Sequence, residues 1–209
     1  MCINYETSLA SFLIGELSGL ALILFNCSET DTKSIDYEKI FIGLFVMFYT
    51  MIQFFELRIY QTNNSDMIAK KLLLLNLGFQ GLLFFVLMSL LYKINGIYIW
   101  ICGLVSFIIV IETIFGFDSQ NIELTKFKCL KWNFMKNDKI SLSLGLMYLT
   151  MFFWIFVEPN SNFIKYIGFV LLFTLVLSYF IFNNIYTNVN SPSIWCLSSA
   201  IAAPLFILY

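Results

Sequence analysis

The chain has no histidine, only 3 prolines, and charge on only 12% of its 209 residues. Without imidazole there is no Ser-His or Cys-His catalytic pair, and the membrane hydrolases that hold zinc through histidine are excluded. The spacing of Cys2, Cys196 and Glu56 matches no metal motif, so neither a metal nor a cofactor is expected. The charged fraction is about half that of soluble domains. A net charge of −1 with no basic stripe gives no reason to expect a nucleic-acid partner. The final apolar run, residues 193–209, lacks lysine, which excludes a retinal Schiff base. The 5 cysteines are scattered: Cys2, Cys129 and Cys196 fall on the side expected to be reducing, Cys102 lies mid-span and Cys27 is alone. Free thiols, and no disulfide framework, are expected.

Apolar residues are abundant. They make up 60% of the chain, with 24 phenylalanines, and they come in runs long enough for a helix to cross the hydrocarbon core. Seven runs are read: residues 8–26, 38–60, 72–92, 96–117, 140–157, 163–186 and 193–209. The short alternating segments of a membrane barrel are missing. The expected fold is all-α, a single domain of seven transmembrane helices. The first run has no basic region before it and no small-residue cleavage site, so it is read as a retained span.

Seven spans put the N-terminus on the side of Arg58, Lys70, Lys71, Lys126, Lys128, Lys131, Lys136 and Lys139. Lys33, Lys39, Lys93 and Lys165 lie opposite. The excess places the N-terminus in the cytoplasm and the C-terminus outside. Most of the bias comes from residues 118–139, read either as an interfacial segment anchored by Phe127 and Trp132 or as an ordinary connection.

Polar residues within the spans gather in the cytoplasmic half. Glu56 lies about 6 Å from that end of its span, Glu112 about 9 Å and Glu16 about 12 Å, by helical rise. Gln53 and Tyr60 share a face with Glu56, whereas Arg58 points elsewhere, toward lipid headgroups. Asn76, Gln80, Ser178, Asn183, Asn184, Ser198 and Ser199 occupy the same half. The outer halves, such as "LLFFVLMSLLY", are almost wholly apolar, which favours a pocket open to one side over a pore. Amides and hydroxyls of this kind often serve only as interhelical hydrogen bonds. Intramembrane carboxylates more often mark function. Gly15 and Gly19, with serines nearby, read as close helix packing.

The stretches "MCINYETSLASFLIG", "MIQFFELRIYQ", "LKWNFM" and "SPSIWCLSSA" together resemble an uncharacterised family of seven-span membrane proteins of large DNA viruses, with a more distant bacterial family of unknown function. The residues carrying the resemblance are Cys2, Ser8, Phe12, Gln53, Glu56, Ser193, Trp195 and Cys196. Leu57-Arg58-Ile59 departs from it, since relatives more often place an aromatic after the glutamate. The resemblance implies the fold and no activity.

The seven-span topology gathers Cys2, Glu56, Trp195 and Cys196 at the cytoplasmic helix ends. The expected site is a polar pocket of Gln53, Glu56 and Glu112 closed by the N-terminal segment. Removal of Met1 would make Cys2 a cationic lid over it. Three functions fit. One is binding or transport of a small solute, proton or lipid headgroup, with membrane lipids as partners. The others are an assembly role in a membrane and an enzyme using a thiol or paired carboxylates.

Overall fold

The computed structural model describes residues 5–28, 36–124, 130–185, 199–200 and 202–208. Six helices carry the fold: α1 Tyr5–Ser28, α2 Tyr37–Gln61, α3 Met67–Ser89, α4 Gly96–Ile111, α5 Asp138–Val157 and α6 Asn162–Ile185. Side chains set their starts. Asp36 accepts from the amides of Glu38 and Lys39, Asp66 from Ala69, Asn95 from Ile97 and Asn137 from Lys139. Each satisfies an amide that the first turn cannot pair. Beyond α2 the chain reverses through Asn63 and Asn64, both at positive φ, a conformation asparagine tolerates better than most residues.

Five helices, α1 to α5, are long and apolar enough to cross a membrane, α4 being counted with the π turn Glu112–Gly116 that extends it. A sixth apolar stretch, Asn162–Ser178, lies within α6. The expected seventh span falls partly outside the described residues. Its described part includes a 3-10 turn, Ala203–Phe206, with Pro204 in its first turn. Large apolar side chains cover the outside: Trp100 is 78% exposed, Phe115 83% and Leu149 68%. Water would penalise such a surface and hydrocarbon would not.

Glycine brings α1 and α2 into backbone contact. A Cβ on Gly15 would sit 2.1 Å from Thr50 Cγ2, and one on Gly19 would sit 2.7 Å from the Gly43 carbonyl oxygen. Gly43 returns the contact, at 2.6 Å to the Gly19 carbonyl. With lipid outside, close packing of this kind is what holds helices together. Farther in, Phe84, Phe85, Tyr92 and Trp154 pack edge to face at 5.4–5.8 Å between ring centres.

Between α4 and α5 the chain folds into a small antiparallel hairpin, β1 Ile122–Leu124 and β2 Leu130–Trp132. Ile122, Leu130, Trp132 and Phe134 are fully buried against the bundle. Trp132 is therefore not the headgroup anchor that an interfacial reading expects. The segment alternates, Ile-Glu-Leu and Leu-Lys-Trp, so its apolar side chains turn inward while Glu123 and Lys131 pair across the strands.

Candidate functional site

Polar ties close the bundle at both ends. At the hairpin end Gln61 donates to Tyr5 at 3.2 Å, and Arg58 pairs with Asp66 at 3.6 Å. Lys70, in the first turn of α3, is 2% exposed, with Glu123 and Asp118 of the hairpin region supplying negative charge. At the opposite end the Glu38 carboxylate accepts from the Tyr92 hydroxyl and, at 2.6 Å, from Ser161. This joins the start of α2, the residues after α3 and the start of α6. Tyr98 donates to Glu158 at 3.0 Å nearby.

Burial, followed by the Glu38 carboxylate, raises the Tyr92 phenol above its ordinary range. An unfolded tyrosine loses its proton near pH ~10. Above that the unfolded chain sheds a proton that folded Tyr92 still holds, so stability falls as pH rises. The contribution is complete below pH ~10. We expect thermal midpoints measured from about pH 8 to 11 to drop more steeply in the native protein than in Tyr92→Phe. Parallel curves would contradict this.

The sequence-derived site residues separate into groups. Gln53 and Glu56 are each 1% exposed on one face of α2, and both are engaged by partners. Glu16 of α1 accepts from Thr50 of α2 at 2.8 Å. Thr50 lies about 9 Å along the helix from Glu56, by rise per residue. Glu112 opens the π turn after α4, where it accepts from Asn137 at 3.2 Å and lies 3.9 Å from Lys139. Gln53 and Glu56 thus sit together, Glu16 is tied to the same helix farther along, and Glu112 joins the start of α5. Arg58 reaches Asp66 and, at 3.5 Å, Gln61. Cys2, Trp195 and Cys196 lie outside the described residues. Cys102 is buried and reduced.

Two further features stand out, the first built from amides already read as interhelical hydrogen bonds. One is a polar ladder. Tyr148 donates to Gln80 at 2.6 Å, Gln80 donates to Asn76 at 3.2 Å, and Asn76 donates to the Phe48 carbonyl at 2.9 Å. Its fixed direction links α5, α3 and α2. The other is a groove of about 690 Å3 along α5, open to the side and walled by apolar atoms. Helices α5 and α6 meet where a Cβ on Gly168 would lie 2.3 Å from Ile155 Cγ2. Toward the hairpin end the groove runs between Leu144, Gly145 and Tyr148 of α5 and Leu172 and Leu175 of α6, with Trp132 and Met135 also in its wall. A Cβ on Gly145 would meet nothing within 4 Å. Glycine in mid-helix was the only trace of this space in the sequence.

Two enclosed cavities, about 30 and 20 Å3, adjoin Tyr49 deeper in the bundle. Their walls are almost wholly apolar, and apolar cavities of that size stay dry. A fourth, of about 310 Å3, opens between α2 and α3 around Asn76. None of the four is lined by Glu16, Glu56 or Glu112. Among the described residues no cluster of metal-ligating side chains occurs.

The apolar helices, their hydrocarbon-compatible exterior and the side-opening groove point to an integral, α-helical membrane protein. No family model, curated protein or solved structure matches the chain.

Proposed function

We propose that this is a seven-span membrane protein that binds a lipid-like amphiphile, taken in sideways through the groove between α5 and α6. The observation carrying the proposal is the groove itself: about 690 Å3, lined by apolar side chains and open laterally. Small-molecule sites are typically apolar clefts of a few hundred Å3 with a few polar groups. Here Tyr148, held by Gln80, supplies a polar group on the wall. In this reading the hairpin end is cytoplasmic, α6 and the C-terminal segment complete the seven spans, and the viral seven-span resemblance bears on fold only. Transport of the amphiphile between leaflets is a further step within the same proposal.

Gly145→Trp tests it. Nothing stands within 4 Å of a Cβ there, so the indole fills the groove without displacing the core. Native mass spectrometry of the protein purified in mild detergent should show lipid adducts on the native chain and their loss in the variant. Equal adducts on both would overturn the proposal. An assembly role is the second reading, favoured because Glu16, Glu38 and Glu112 all take hydrogen bonds from neighbouring segments. It expects no adducts and an oligomer that persists after delipidation. Within the same proposal the Gln53–Glu56 face is the charge or proton site for transport.

A further inference from the structure

We infer that Glu16 and Thr50 form a proton-binding site in the middle of the bilayer, with Glu16 holding the proton and the site reached from the hydrocarbon side. The ligand is the proton itself, and the site is separate from the groove. Depth comes first. The apolar span of α1 runs from Tyr5 to Phe25, which sets Glu16 about 17 Å from one end and about 14 Å from the other. The hydrocarbon core is about 30 Å thick, so the carboxyl group stands near its centre. Thr50 lies at the same depth, about 17 Å from the Gln61 end of α2. Glu16 is only half-buried there.

No positive charge is offered to it. Among the described residues Glu16 forms no ion pair, and its hydrogen-bond partner is Thr50. Helix α1 packs against α2 and the Ala203–Phe206 turn, which has no titratable side chain. On α2 the charges stand toward the ends, Glu38 and Lys39 at one and Glu56 and Arg58 at the other. Arg58 is engaged with Asp66 and Gln61, and the Tyr49 hydroxyl meets Ser199 at 2.5 Å. Glu56 is a like charge. A carboxylate without a cation at this depth is costly, and taking up a proton removes the cost.

The hydroxyl lets that proton come and go. Threonine has one side-chain hydrogen to give. Thr50 Oγ1 has three acceptors in reach: Glu16 Oε1 at 2.8 Å and the carbonyls of Val46 and Met47 at 3.0 and 3.1 Å. When Glu16 is ionised, the hydrogen turns to it. When Glu16 is neutral, the acid hydrogen goes to Oγ1 and the hydroxyl turns back to the Val46 carbonyl. The 2.8 Å contact serves both states, and only a hydroxyl rotates between them.

The full-length protein in lipid nanodiscs is treated at neutral pH with dicyclohexylcarbodiimide, which dissolves in hydrocarbon and reacts with protonated carboxyl groups. A water-soluble carbodiimide is used in parallel. Peptide mapping should find Glu16 modified by the first reagent and not by the second. The infrared spectrum of the native protein minus that of Glu16→Gln should show the carbonyl band of a protonated acid. Thr50→Val removes a donor that favours the ionised form, so labelling of Glu16 should persist to a pH about one unit or more higher. A difference spectrum without the acid band would overturn the proton. Modification by the water-soluble reagent, or by neither, would overturn access from hydrocarbon. An unchanged pH profile in Thr50→Val would overturn the part given to Thr50. Should Glu16→Gln fail to fold, the adduct on the native chain and its pH profile in Thr50→Val decide the matter.

Discussion

Gly19→Ala is expected to destabilise the protein by about 2 kcal/mol, whereas Gly103→Ala should stabilise it by up to about 1 kcal/mol. The same methyl is added to a transmembrane helix in both cases, and the surroundings decide the sign. At Gly103 nothing lies within 4 Å, so alanine brings only its better helix propensity. At Gly19 the new carbon meets Met47 Cγ at 2.5 Å and the Gly43 carbonyl oxygen at 2.7 Å. Methionine can move aside; a backbone carbonyl inside a helix cannot, so α1 and α2 must separate. Gly15→Ala adds a second test. There the obstruction is Thr50, whose hydroxyl donates to Glu16, so the clash also disturbs a carboxylate contact. Thermal unfolding in one detergent, with all variants side by side, measures the effect. Equal shifts for Gly19 and Gly103 would refute the close seam.

Trp154→Ala should cost more, about 3–5 kcal/mol. Trp154 is 1% exposed and presents its ring to Phe84, Phe85 and Tyr92 at 5.6 to 5.8 Å. Inside a membrane, transfer from water contributes little, since lipid is as apolar as the core. What is lost is packing: the surrounding aromatics cannot all collapse into the space, and their contacts on that side vanish. Trp154→Phe keeps most of the ring and should cost less than half as much. The same variant loosens the floor beneath Tyr92, so its high-pH stability profile should flatten along with the loss. A loss under about 1 kcal/mol for alanine would show that this cluster is not a structural centre.

The parts of this fold governed by local chemistry were legible in the sequence. Apolar runs locate the helices because hydrocarbon demands both length and apolarity, and the spacing of Gly15 and Gly19 announces a close helix contact, whose partner, α2, only the structure supplies. The hairpin was missed because three-residue alternation, Ile122 to Leu124 and Leu130 to Trp132, is short and easily read as a loop with aromatic anchors. Glu38, in the first turn of α2, has no signal in the sequence that sets it apart. Its partners Tyr92 and Ser161 lie 54 and 123 residues away, and only tertiary structure gathers them. The groove depends on how α5 and α6 diverge from their contact at Gly168, a geometry no periodicity encodes. Glu16, Gln53, Glu56 and Glu112, read as candidate site residues, stand within or at the ends of apolar helices. Which neighbour each would meet was another matter: Thr50 for Glu16, and Asn137 with Lys139 for Glu112.

The glycine seam between α1 and α2 also bears on the order of events during synthesis. Ribosomes add on the order of 5–20 residues each second, so α2 is complete several seconds before α5 has been made. The seam draws only on residues 15 to 50. The two helices can therefore enter the bilayer already joined, as a preformed pair on which α3 finds Asn76's acceptor, the Phe48 carbonyl, in place. Helices α5 and α6, which border the groove, arrive last. The earliest helices are packed backbone to backbone, and the later ones leave room at their side.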